Sequence, residues 1–391
     1  MFKYSNTLVH LDFKDIFVVA TLFFALFPWL SFGLNTLDSQ VYVLIPAALY
    51  IFMSLKQNIT KIHIGLLILL VSLIFFSSVN INSVSSIALL RTLIQVLMFC
   101  VVLIIAKENN HLLPNVIFFC NFIYLVVASF QLLGIEIFDF LSQNRTNSAR
   151  GVTSLAPEPT FFGYTLLILM VLNFFEYKKR RTKRSVPLFF CVANILFIIF
   201  AATSAGTIIY FPVIALILLL SNLLSLKDKV LIIAVGSAGV LVFIDNFGST
   251  RLLSIFNSLI DLGIIETIRL DPSITYRVSQ TIIPILISLE NFLIPIGEAS
   301  LTNVDLSRYS SFFYDRALNE VAVFIPSMIF HFGLIGIIFL YILFTQIKVN
   351  KSERFYLYFF FLVFLSTATL TIGSTLVAIM FAYNYNLSNE I

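Results

Sequence analysis

The chain alternates between long apolar segments and shorter segments that carry most of its charged residues. An apolar stretch of about 20 residues is long enough to cross a bilayer as a helix. The pattern predicts eleven such spans, near residues 15–34, 40–55, 62–80, 87–106, 113–135, 159–177, 186–203, 205–225, 230–246, 320–345 and 355–371. A short twelfth segment, about 374–386, is predicted to turn back after Gly373. The predicted fold is therefore all-α, a single polytopic membrane domain over residues 1–391 with 11–12 transmembrane helices.

A basic cluster between the sixth and seventh predicted spans sets the orientation. Residues 178–184 read Lys-Lys-Arg-Arg-Thr-Lys-Arg, and such loops stay on the cytoplasmic side of the membrane. Counting spans from this cluster places the N-terminus in the cytoplasm. It also places residues 136–158, and a large loop at 247–319 between the ninth and tenth spans, on the outer face. The chain is predicted to cross the membrane many times.

The large outer loop contains apolar runs that resemble spans. Lys229 and Lys348 should both be cytoplasmic, so an even number of crossings must separate them. The spans at 230–246 and 320–345 already supply two. The apolar runs at 251–268 and 276–294 are therefore predicted to be short helices that lie on the outer leaflet or cap the bundle.

Composition narrows the class of protein. Hydrophobic residues make up 59% and charged residues 11% of the chain, whereas soluble domains are about 25% charged. A soluble enzyme with a single anchor is excluded. The net charge of +4 is explained by membrane orientation, so no nucleic-acid binding is predicted. The three cysteines lie in apolar segments without metal-site spacing, and no nucleotide-binding glycine motif is present, so neither metal nor cofactor is predicted.

Lysine and arginine are distributed differently across the membrane. The predicted topology places all twelve lysines on the cytoplasmic side. Eight of the twelve arginines lie on the outer side: Arg91, Arg145, Arg150, Arg251, Arg269, Arg277, Arg308 and Arg316. The positive-inside rule does not explain these outer arginines, because it predicts that basic residues are depleted on the outer side. A guanidinium binds phosphate or carboxylate through a planar fork that lysine lacks, so the split predicts an outer site for an anionic group.

Glu158 is the first candidate catalytic residue. Pro157 and Pro159 flank it immediately before the sixth span. Proline suits the first helical position, which makes Glu158 the candidate N-cap, where the helix dipole favours an anion. Two interpretations follow. Glu158 is either a carboxylate that orients or deprotonates a hydroxyl, or a plain acidic helix cap. Arg150, eight residues upstream, favours the first.

Other charged residues have both a functional and a structural interpretation. Arg91 lies near the outer end of the fourth span, where it either contacts substrate or extends its side chain to the interface. His331, within the tenth span, is predicted to form an interhelical hydrogen bond. Three neighbouring pairs in the large loop are candidate structural ion pairs: Asp271 with Arg277, Asp305 with Arg308, and Asp315 with Arg316.

Several segments resemble the Wzy-type O-antigen polymerases, a family related to the O-antigen ligases. The architecture covers the whole chain, whereas the motifs cover about a tenth of it. Arg150-Gly151 followed by Ala156-Pro157-Glu158-Pro159-Thr160 resembles the family's R-G…EPS segment, with Thr160 in place of serine; Ser273-Ile274-Thr275-Tyr276-Arg277 resembles its recurring loop arginine; and Asn319 leads into a helix with His331-Phe332-Gly333-Leu334-Ile335-Gly336. Thr203-Ser204-Ala205-Gly206 resembles the S-R-S/A-G element but lacks its arginine.

The resemblance implies a polymerase that works without metal or cofactor at the outer face of the cytoplasmic (inner) membrane of a bacterium. The growing glycan would leave undecaprenyl diphosphate and join the next lipid-linked repeat unit. Arg150 and Arg277 would bind the donor diphosphate, and Glu158 would handle the acceptor hydroxyl. Further substrate-binding candidates are Arg91, Arg145, Arg308, Arg316 and Asn319. The implied partners are membrane lipids, a chain-length regulator and a repeat-unit flippase.

Three alternatives remain. A ligase would move finished glycan onto another acceptor, but Leu318 stands where ligases usually carry a His-Asn type element. A transporter or flippase predicts an inverted repeat, which is not visible, and ionisable groups along the spans, whose interiors hold almost none apart from Arg91 and His331. A membrane scaffold without catalytic activity leaves the outer arginines unexplained.

Overall fold

The computed structural model is helical wherever it has regular structure. It describes residues 12–31, 41–54, 68, 71–72, 74–75, 86–135, 137–141, 151–179, 185–208, 210, 213–214, 226–227, 229–230, 234, 251–270, 272–296, 321–345 and 351–386. Within these residues no strand is present, which confirms the all-α prediction.

The described part of the chain contains twelve α-helices with defined bounds, numbered here in chain order. They are α1 (Phe13–Leu26), α2 (Leu44–Met53), α3 (Ser86–Glu108), α4 (Leu113–Leu132), α5 (Pro159–Lys179), α6 (Ser185–Phe197), α7 (Ala205–Ile208), α8 (Arg251–Leu270), α9 (Pro272–Glu290), α10 (Phe324–Thr345), α11 (Lys351–Thr367) and α12 (Thr375–Asn386). A π-helical turn, Ile198–Ala202, extends α6, and 3-10 turns occupy Val41–Val43 and Asp139–Leu141.

Five helices of the described chain are long and apolar enough to cross a membrane. Their spanning segments are Leu90–Glu108, Leu113–Leu132, Pro159–Tyr177, Ser185–Ala202 and Phe324–Thr345. Shorter apolar helices, Val41–Met53 and Arg354–Thr367, match two more predicted spans. The protein is therefore membrane-embedded. The predicted spans at 62–80, 205–225 and 230–246 fall mostly outside the described residues, and the total of 11–12 stays a prediction.

The predicted twelfth segment is confirmed as a helix and lies at the centre of the bundle. Every residue from 375 to 383 is buried, as expected for a helix that is surrounded on all sides. It packs on α3, α5 and α1. The hydroxyl of Thr375 donates to the carbonyl oxygen of Ala25 on α1 at 2.6 Å, and the hydroxyl of Tyr383 donates to the carboxylate of Glu176 on α5.

A backbone break divides α10. Gly333 has φ 55° and ψ −132°, a conformation that glycine adopts far more readily than other residues. The carbonyl oxygen of Leu293 fills the space that a Cβ at position 333 would need, and it accepts the N–H of Leu334 at 3.0 Å. The N–H of Ile296 donates to the carbonyl oxygen of Phe330 at 3.2 Å. The segment that follows α9 is thus inserted into the break.

This break differs from the prediction of one continuous tenth span with His331 near its middle. His331 is buried but lies two residues before the break. Apolar composition is uniform across 324–345 and gives no sign of the interruption. The break depends on one glycine and on a bonding partner about 40 residues earlier in the sequence.

The two helices predicted within the large outer loop are confirmed as helices α8 and α9. The buried face of α9 packs on α10, and Ile283 and Ile287 join Phe330 in a small apolar cluster. The side-chain oxygen of Gln280 also accepts the N–H of Ala322 at 2.8 Å. Helix α9 therefore covers the bundle and carries Arg277 on a side that faces other helices.

The orientation gives a direct prediction. In a variant without Cys100, Cys120 and Cys191, we expect Asn147→Cys and Asn303→Cys to react with an impermeant maleimide added outside intact spheroplasts. Thr182→Cys should react only after lysis, because the basic cluster holds it in the cytoplasm. Labelling of position 182 from outside, or protection of both loop positions, would contradict the orientation.

Candidate functional site

The chain that leads into α5 packs against the end of α6. The π-helical turn Ile198–Ala202 widens the end of this helix, a feature frequent at functional sites. The N–H of Val152 donates to the carbonyl oxygen of Ala201 at 2.9 Å. Gly151 has φ +103°, and a Cβ there would lie 2.7 Å from the same oxygen. Glycine at position 151 therefore permits both the backbone conformation and the close approach.

Glu158 occupies the N-cap position of α5, as predicted. The helix begins at Pro159, and the carbonyl oxygen of Glu158 accepts the N–H of Phe162 at 3.1 Å. The side chain is half-buried. Within the described part of the chain, its carboxylate has neither a hydrogen bond nor an ion pair. A capping carboxylate would bond an N–H of the first turn, so the backbone of Glu158 caps this helix while the carboxylate stays available.

The first two turns of α5 pack against residues 203–206, which link the end of the π-helical turn to the start of α7 and are called the polar turn below. The hydroxyls of Thr160 and buried Ser204 lie 2.9 Å apart. A Cβ at Gly163 would lie 2.6 Å from the Cγ2 of Thr207. The small residue at position 163 thus lets the two segments approach closely enough for this hydroxyl pair to form.

Arg277 brings a third segment to the same place. Its Nη1 donates to the hydroxyl of Tyr164 on α5 at 3.2 Å, a contact between residues 113 positions apart. The guanidinium also lies against Gly206: a Cβ there would overlap Nη1 and stand 2.8 Å from Cζ. Helix α5, the polar turn and helix α9 therefore converge on one guanidinium.

The charge of Arg277 has only a neutral partner among the described residues. The side chain is half-buried, and its recorded bond is to a tyrosine hydroxyl. Arg269, by contrast, pairs with Glu266 at 2.7 Å in an exposed setting. Asp271, the carboxylate predicted to pair with Arg277, lies outside the described residues. A partly desolvated cation favours an anion beside it, so the arrangement suits an anionic ligand.

Two further hydroxyls connect this arginine to α11. The ring of Tyr210 lies 5.9 Å from that of Tyr164 at 65°, and its hydroxyl is 2.7 Å from that of Thr367. Thr367 donates its single hydrogen to the carbonyl oxygen of Val363 at 2.6 Å. Tyr210 must therefore donate to Thr367.

The end of α11 and the α11–α12 connection lie against both the helix that carries Arg277 and the helix that carries Arg91. Arg91 is exposed on α3, and one turn later a Cβ built on Gly373 would lie 2.6 Å from the Cβ of Gln95. On the other side, the hydroxyl of Thr281 on α9 is 2.9 Å from the carbonyl oxygen of Ser366. The end of α11 thus contacts α9, which carries Arg277, and the α11–α12 connection contacts α3, which carries Arg91. Among the described residues, no contact joins the two arginines.

The structure describes three of the predicted site residues, Glu158, Arg277 and Arg91. Glu158 and Arg277 both belong to the arrangement around the first turns of α5. Five predicted residues lie outside the described part of the chain: Arg145, Arg150, Arg308, Arg316 and Asn319. Among the described side chains, no three His, Cys, Asp or Glu residues come together.

Sequence reasoning missed Tyr164 and Tyr210, and it gave no role to Ser204 and Gly206, which it had noted only for the resemblance of Thr203-Ser204-Ala205-Gly206 to a family element. One local signal was available for Tyr164, which lies four residues after Thr160 and so shares its helix face. The other three contacts join distant segments and leave no local pattern.

No family model matches this chain, and comparison with curated proteins and solved structures found no significant match.

Proposed function

We propose that this protein is a lipid-linked polysaccharide polymerase of the cytoplasmic membrane. One observation supports it above the others. Two charged groups lie near the start of α5: the half-buried guanidinium of Arg277, whose hydrogen-bond partner among the described residues is the neutral hydroxyl of Tyr164, and the carboxylate of Glu158, which has no partner among those residues. This pairing suits a reaction in which an anionic group leaves and a hydroxyl loses its proton.

The proposed reaction joins two lipid-linked glycans. The acceptor hydroxyl of the next repeat unit attacks the anomeric carbon of the growing glycan. A carbon–oxygen bond forms there while the bond to the donor diphosphate breaks, and undecaprenyl diphosphate leaves with the electron pair. Glu158 takes the hydroxyl proton. Arg277 stabilises the negative charge that develops on the departing diphosphate.

The spacing along α5 fits this division of roles. Tyr164, which contacts Arg277, lies six residues after Glu158, or about 9 Å along the helix axis. No ion pair joins the Glu158 carboxylate to the Arg277 guanidinium, so each charge is left for a substrate group.

The surface glycan of a deletion strain tests the proposed class. A polymerase predicts that the strain still displays single repeat units but no longer polymers. A ligase predicts loss of all surface glycan with accumulation of lipid-linked polymer. Normal polymers in the deletion strain would contradict both activities.

The arginine sites should require more than positive charge. We expect Arg277→Lys and Arg150→Lys to lose most polymer while the protein still inserts, because a lysine cannot reproduce a two-pronged phosphate contact. Arg180→Lys and Arg181→Lys are the matched controls and should be silent, since topology requires only charge. Polymer ladders measure the effect at equal abundance of each variant in the membrane. Full activity of both Arg277→Lys and Arg150→Lys would show that these two arginines do not bind phosphate.

A further inference from the structure

The guanidinium of Arg277 is held on one nitrogen. Nη1 donates to the Tyr164 hydroxyl at 3.2 Å, and the same nitrogen lies against Gly206. Within the described residues, neither Nη2 nor Nε of Arg277 has a hydrogen bond. A guanidinium binds a phosphate through two parallel N–H groups on one edge. Because Nη1 already donates one N–H and lies against Gly206, the edge whose two nitrogens both lack a hydrogen bond to the described residues is the one formed by Nε and Nη2.

Tyrosine is suited to position 164 because its hydroxyl accepts the N–H of Arg277 while its ring is packed in the bundle. The side chain is fully buried, and its ring lies edge-on to those of Tyr210 and Phe364. Close packing holds this ring in one position, so the hydroxyl stands at a fixed place beside the guanidinium.

We propose that Tyr164 is a positioning residue for Arg277, an inference that rests on the proposed function. It fixes Nη1 against Gly206 and thereby presents the Nε–Nη2 edge of the guanidinium to one phosphate of the lipid diphosphate. Tyr164 itself does not touch the substrate. Its contribution should therefore vanish when position 277 no longer carries a guanidinium.

A double-mutant cycle tests this role. Binding of sugar-free undecaprenyl diphosphate is measured on purified full-length protein in nanodiscs, for wild type, Tyr164→Phe, Arg277→Lys and the double variant. We expect Tyr164→Phe to weaken binding about tenfold, as for loss of a hydrogen bond to a charged group. In the Arg277→Lys background the same change should alter binding by less than about twofold, because the two residues act as one unit.

Tyr124→Phe is the matched control. Tyr124 is also fully buried, and its hydroxyl donates to the carbonyl oxygen of Leu26 at 2.9 Å, away from the arginine. It should retain wild-type binding although it loses a comparable hydrogen bond. If Tyr164→Phe lowers the yield of folded protein, Gly206→Ala displaces Nη1 by placing a Cβ in its space and should give the same non-additive loss.

The outcomes separate this inference from the proposed function. Wild-type binding by Tyr164→Phe alongside weak binding by Arg277→Lys would overturn the positioning role and leave the function standing. Equal losses from Tyr164→Phe in both backgrounds would also overturn it, because Tyr164 would then act independently of the guanidinium. Unchanged binding by Arg277→Lys would instead remove the phosphate site on which the proposed function rests.

Discussion

Glu158→Gln is expected to abolish chain extension while the protein remains in the membrane at normal abundance. The amide keeps the size and shape of the carboxylate but cannot accept a proton. Folding should be little affected, because the backbone of Glu158 caps α5 and its carboxylate has no bond within the described chain. Polymer ladders compared at matched protein levels give the measurement.

Two capping variants serve as controls for Glu158. Asn and Ser are good N-cap residues, and loss of a capping side chain costs about 0.5–2 kcal/mol. If position 158 were only a cap, Glu158→Asn and Glu158→Ser would extend chains normally. We expect both to be inactive, like Glu158→Gln. Near-normal ladders from Glu158→Gln would reduce this residue to a structural cap and leave the proposed reaction without a base.

Gly206→Ala is expected to mimic removal of Arg277. In a helix this change normally stabilises the protein by about 1 kcal/mol. Here the new Cβ overlaps Nη1 of Arg277, so the guanidinium must leave its position. Loss of one charge-stabilising donor lowers turnover about a hundredfold or more, and we expect a loss of that size. Turnover of reconstituted protein and its melting temperature should separate this effect from unfolding.

Epistasis provides the control for Gly206→Ala. The double variant Gly206→Ala with Arg277→Ala should be no less active than Arg277→Ala alone, because the clash is then absent. Gly134→Ala gives a comparison at a glycine with φ +74° and no neighbour within 4 Å of the added atom, and it should remain active. Normal turnover by Gly206→Ala would show that the position of Arg277 is not critical.

Local patterns predicted the local structure well. Apolar length predicted the five spanning helices, and the two prolines around Glu158 predicted where α5 begins. The parity of the lysine-bearing segments prompted the prediction of two helices within 247–319, and α8 and α9 are helical, while the placement of this segment on the outer face stays a prediction.

Long-range arrangement was beyond sequence reasoning, for a physical reason. A helix that is apolar all round gives no periodic signal of which face meets which neighbour. The burial of α12, the break at Gly333 and the contact of Arg277 with Tyr164 each depend on a partner distant in the chain. The polar turn at 203–206 illustrates the point, since it lacks an arginine of its own and the guanidinium beside Gly206 comes from α9.

Reconstitution of the purified protein tests the central claim most directly. Proteoliposomes containing this protein alone are supplied with lipid-linked repeat units, and both the glycan products and free undecaprenyl diphosphate are measured. The account predicts a ladder of polymers with one undecaprenyl diphosphate released for each bond formed, and no ladder from Glu158→Gln or Arg277→Lys. Translocation of intact repeat units without any release of undecaprenyl diphosphate would contradict it.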